Sequence, residues 1–162
     1  MFLVSNDFYE NSDMLFQSIN DLDFIDGDNC LVLPDFPMVS DNHKQSISSM
    51  LNLPISLIED KCLFKKYHNG IFSDNYDENI VLMAMIVFED LDVSFWKHTS
   101  TNTKSYLQLQ SIEDLTFTED DFTLVNTVKL SKNDLIIFNP YHYRSISSSC
   151  LVQTLYFGID NA

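Results

Sequence analysis

The sequence predicts an α+β fold, mainly β: a β-sandwich or jelly roll with two N-terminal helices packed on one sheet. Three observations carry this. Apolar residues at helical spacing are confined to the first third of the chain. From Leu57 onward seven or eight short strand-like segments follow one another, separated by polar turns. Ile80–Phe88 (IVLMAMIVF) is apolar on both faces, as a strand inside a sandwich must be.

Residues 1–7 predict a short strand. Phe8–Leu22 follows as a helix, with Leu15, Ile19 and Leu22 on one face and Asn11, Ser12 or Asp13 able to cap it. Asp23–Asp41 reads as loop, marked by Asp26-Gly27-Asp28, Pro34 and Pro37. A second helix is predicted over His43–Leu53, ended by Pro54. Lys61–Tyr67 and Ile71–Ser73 flank Asn69-Gly70, a pair that tolerates positive φ and so predicts a tight hairpin. Further strands are predicted at Val93–His98, Ser105–Leu109, Phe122–Leu130, Asp134–Phe138 and Leu151–Phe157.

At 162 residues, with thirteen Phe and seven Tyr to bury, the chain is expected to form one domain over 1–162. Residues 1–56 would be its helical part and 57–162 its β-sandwich core. Nine basic residues against twenty-four acidic ones give a net charge of −15, which repels phosphate and argues against direct nucleic-acid binding. A solvated surface explains the acids most simply; a decoy that mimics nucleic acid is the sharper alternative, though the acids are dispersed and form no long runs. Cys30, Cys62 and Cys150 include no C-x-x-C pair, so neither a disulfide framework nor a cysteine zinc site is indicated. The opening residues lack the features of a secretory signal, and Ile80–Phe88 is too short to cross a bilayer. A reducing cytoplasm is the expected setting.

The four histidines and many carboxylates make a metal site worth testing. A non-haem Fe(II) centre uses two His and one carboxylate on one face and leaves positions open for other ligands. Asp77, before the buried strand, and His142, after Asp134–Phe138, stand where a jelly roll would supply such ligands.

Five segments carry a resemblance: FYENSDMLFQSI (Phe8–Ile19), KYHNGIFSDNYD (Lys66–Asp77), FWKHTST (Phe95–Thr101), NDLIIFNPYHYRS (Asn133–Ser145) and CLVQTLYF (Cys150–Phe157). In this order they resemble the 2-oxoglutarate and Fe(II)-dependent oxygenase superfamily, in particular its small phage and bacterial members. The resemblance implies a double-stranded β-helix, with Fe(II) and 2-oxoglutarate as cofactors if the motifs are functional and none if they are not. Tyr67 and Gly70 match a YxxG element, and Asp77 matches the carboxylate ligand. Asn75 stands where the first His of a His-x-Asp motif would stand. The distal His is His142, or in a shifted register its place is taken by Arg144. A base to grip the co-substrate is expected near Cys150 or Val152, and neither is basic. Tyr67 and Arg144 are thus the candidate cofactor contacts, and Trp96 and His98 the candidate substrate contacts.

These residues have structural readings too. His98 can be a polar strand end, Trp96 core, His142 a surface group and Asp77 a turn cap. The three departures favour an oxygenase-like jelly roll that has given up iron and acts by binding a protein partner, a basic one given the charge. An active hydroxylase and an acidic nucleic-acid mimic are the alternatives.

Overall fold

The computed structural model describes residues 2–34, 40–105 and 119–160. The predicted strand Ser105–Leu109 lies, but for Ser105, outside the described residues. Eleven strands and two helices are described: β1 (Phe2–Ser5), α1 (Ser12–Ile19), β2 (Ile25–Gly27), β3 (Cys30–Val32), α2 (Asp41–Leu51), β4 (Ile55–Leu57), β5 (Leu63–Tyr67), β6 (Leu82–Val87), β7 (Leu91–His98), β8 (Phe122–Leu130), β9 (Leu135–Phe138), β10 (Arg144–Ile146) and β11 (Leu151–Ile159).

They form a large sheet in the order β1-β9-β6-β11-β5-β3-β2, with β4 added along the end of β11, and a small sheet β10-β7-β8. Every ladder is antiparallel. The alternation of side chains splits β6 into two buried faces. Met83, Met85 and Val87 point between the sheets, where they meet Ile136, Phe138, Val93, Phe95 and Val152. Ala84 and Ile86 point the other way, onto Ile19 of α1 and Ile47 of α2. The double-sided apolar run in the sequence thus has its cause: one face closes the roll and the other carries the helices.

The helices are shorter than, or shifted from, their predicted spans. In α1 only the turns that bring Leu15, Phe16 and Ile19 onto the sheet are helical. In α2 the start moves forward to Asp41, because Ser40 and His43 form a capping box; Nδ1 of His43 accepts the Ser40 backbone N–H at 3.0 Å. Its end at Asn52 adopts the left-handed conformation that Asn tolerates.

Two sequence expectations are corrected. The predicted loop Asp23–Asp41 contains a small hairpin, β2–β3, turning at Asp28-Asn29 with Asn29 at φ 59°; it extends the large sheet through Cys30 opposite Tyr67. Asn69-Gly70 does not make a hairpin back along β5. Both edges of β5 are already taken, by β11 and β3, so the chain leaves the large sheet there and Phe72 bridges to Arg144 instead. The described residues among the first 57 therefore contribute four strands as well as the helices. No described helix is long and apolar enough to cross a membrane, and the three cysteines are free thiols.

Candidate functional site

Between the two sheets sits a charged side chain with no exposed surface, Arg144. Its position follows from register: β10 pairs with β7 so that Arg144 lies opposite Phe95, and the bridge to Phe72 holds its other side. The guanidinium stacks between two rings, with its carbon 4.5 Å from the centroid of Phe72 and 5.1 Å from that of Phe138. Nη1 donates to the Pro140 carbonyl at 2.6 Å and Nη2 to Asp74 Oδ1 at 2.7 Å. The second carboxylate oxygen of Asp74 accepts from the Tyr156 hydroxyl at 2.7 Å.

Asp74 is thus held by two donors on different strands. Burial works to raise its pKa, but the charge of Arg144, then that of Lys65 and the two hydrogen bonds, outweigh it and leave the carboxyl below its usual range. For Tyr156 burial dominates, and its hydroxyl stays protonated far above the ordinary tyrosine range.

In front of this pair opens a cleft of about 520 Å³, lined among others by Lys65, Tyr67, Asp74, Asn75, Tyr141 and Tyr156. Lys65 Nζ donates to Tyr156 Oη at 3.1 Å and lies 4.9 Å from the Tyr156 ring centroid and 5.8 Å from that of Tyr67. The Tyr67 hydroxyl is buried and has no hydrogen-bond partner among the described residues; the same holds for Arg144 Nε. Tyr141 ties the loop before β6 in place: its hydroxyl accepts from the Asp77 N–H at 3.2 Å and lies 2.8 Å from the Asp77 carbonyl and 2.9 Å from that of Ile80.

The candidate residues are dispersed. Tyr67 and Asn75 line the cleft, and Arg144 lies behind its Asp74 wall. Asp77, the candidate carboxylate ligand, is engaged by Lys61 Nζ at 2.6 Å and caps a turn by accepting the Asn79 N–H at 2.9 Å. His142 lines a different, smaller hollow of about 140 Å³ with Phe95 and Trp96; burial lowers its pKa. Among the described residues Asp77 and His142 join no cluster of three possible ligands; Arg144 is buried between the sheets, while His142 borders the smaller hollow. Trp96 donates through Nε1 to Ser145 Oγ at 2.9 Å, and packs against Ile71, Phe122 and Tyr143. His98 holds Thr101 at 2.8 Å and meets the edge of Phe122, lining neither hollow.

Sequence reasoning missed Asp74, Lys65 and Tyr156. Lys65 carried a usable signal, since it alternates onto the same strand face as Tyr67. Asp74 carried none, being one of many acids.

An Fe(II) centre needs imidazole and carboxylate donors gathered with open positions. Among the described residues no three His, Cys, Asp or Glu side chains gather in this way. Both oxygens of Asp74 are already used, and the permanent charge of Arg144 beside it opposes a divalent ion. Among the described residues the donor set does not fit iron.

The architecture is a mainly β jelly roll with helices on one sheet, as the resemblance implied. HygX from Streptomyces hygroscopicus with nickel and 2-oxoglutarate bound is similar at a TM-score of 0.60 and 14% identity, over 99% of this chain and 83% of that one. HygX with nickel, 2-oxoglutarate and hygromycin B bound gives 0.57 and 14%, over 99% and 82%. At this identity the likeness is one of fold. No protein-family model matches the chain, and no curated protein matches it.

Proposed function

We propose that this chain is a single-domain, oxygenase-like jelly roll that no longer performs iron chemistry and acts by binding, with a basic protein as its partner. The observation that carries the first half is the Arg144–Asp74 pair. In one register the sequence puts Arg144 at the distal-ligand position, and its guanidinium is locked by two hydrogen bonds and two rings. The net charge of −15 supports the second half, because it steers cationic surfaces toward the molecule. Three free thiols suit a reducing compartment such as the cytoplasm.

Calorimetric titration with Mn(II), and with Fe(II) under anaerobic conditions, tests the reading. The expected result is no saturable heat, and no conversion of 2-oxoglutarate to succinate when iron and co-substrate are supplied together. Micromolar metal binding or turnover would overturn it in favour of an active hydroxylase. Partner capture should weaken as salt rises and should be indifferent to Asp77→Ala.

A further inference from the structure

We propose that the cleft in front of Asp74 binds a small amino-carboxylate without metal, with the carboxylate against Lys65 and the amine toward the rim. The inference starts from the charges that remain once internal pairs are removed. Asp74 is neutralised by Arg144, and Asp77 by Lys61. Among the described residues Lys65 makes no ion pair, and neither do Asp28 and Asp60. All three line the cleft. The free cation is half-buried on the floor, while the two free anions are exposed at the rim.

The floor offers hydrogen atoms. Lys65 spends one N–H on Tyr156 and keeps two. The Tyr67 hydroxyl, on a side chain only 3% exposed, has no partner among the described residues although buried polar groups are rarely left unmatched. A carboxylate oxygen supplies an acceptor to both. The rings of Tyr67 and Tyr156 beside Lys65 fix the ammonium and exclude water from one side of it.

Lys65 is the cross-strand partner of Val152 on β11, so the ladder fixes where its side chain leaves the sheet. The rim then sets the ligand class. A second carboxylate would face Asp28 and Asp60, whereas an ammonium complements them. The volume of about 520 Å³ suits a small molecule.

The test is titration of the metal-stripped protein, in EDTA and at fixed ionic strength, followed by NMR shifts. The ligands are acetate, succinate, glycine, 4-aminobutanoate and 5-aminopentanoate. One of the three amino acids should saturate with a Kd at least about tenfold below that of succinate, or about 1.4 kcal/mol. Lys65→Met should abolish saturation, and Tyr67→Phe, which removes only the unpartnered oxygen, should weaken it. Asp28→Asn with Asp60→Asn should erase the preference over succinate; thermal unfolding reports that each variant is folded. Succinate binding as tightly as the best amino acid, no saturation by any ligand, or an affinity unmoved by any of these variants overturns the inference. Absence of binding with and without Mn(II) overturns it alone, whereas binding that requires Mn(II) overturns the metal-free reading as well.

Discussion

A guanidinium with no exposed surface is tolerated only where its charge and most of its N–H groups find partners, because desolvation costs several kcal/mol per ion. Arg144 meets that condition through Asp74, the Pro140 carbonyl and two aromatic faces. Removing one member strands the other. Arg144→Met and Asp74→Leu should each destabilise the fold by about 3–5 kcal/mol, and the double variant by clearly less than the sum. Urea midpoints for the four proteins give the answer; additive losses would show that the two residues do not act as a pair. The sequence contained half of this. The alternative register placed Arg144 at the motif position, but its partner could not be read, since Asp74 lies seventy residues away and looks like any other turn acid.

The elements lean on two local devices. At the start of α2, Nδ1 of His43 accepts the Ser40 N–H, so the proton sits on Nε2, which donates to Tyr9 Oη at 2.6 Å; Tyr9 in turn donates to Gln153 of β11. This chain fastens helix to sheet and needs His43 neutral. Burial lowers the His43 pKa below its ordinary value near 6.5. The unfolded chain therefore takes up the proton first. The contribution is complete above about pH 6.5 and shrinks as pH falls from there toward the folded pKa. The stability gap between the native protein and His43→Gln should narrow as pH falls below about 6.5, measured by thermal unfolding; a constant gap would contradict the assignment. On β11, a Cβ at Gly158 would lie 2.7 Å from the Asn79 carbonyl oxygen. That carbonyl belongs to the backbone and cannot swing aside, so Gly158→Ala should cost about 1–3 kcal/mol in denaturant unfolding. The helix boundaries were only partly legible because capping, here by a histidine, decides them within a turn.

For the whole molecule, the double-sided apolar run of β6, the closely spaced strand segments after Leu57 and the helical spacing around Ile19 and Ile47 were enough to indicate a jelly roll with helices packed on one sheet. The site was less legible for a physical reason. Its geometry depends on which strands become neighbours, and the ladders that build it join residues far apart: Phe72 with Arg144, and Lys65 with Val152. Periodicity reports which face a residue takes but not what stands opposite it. The misread hairpin at Asn69-Gly70 has the same origin, since the turn residues suited a hairpin while both edges of β5 were claimed by strands remote in sequence.

The large sheet also has a vectorial consequence. β11 lies between β5 and β6 and binds β4 as well, yet it comes last in sequence among the eleven described strands. As the polypeptide is made, β5 and β6 come first, each with an edge of unpaired N–H and C=O groups that β11 has yet to fill. Neither half of the sheet can join the other until β11 is in place, so the large sheet is expected to close in one late step of folding.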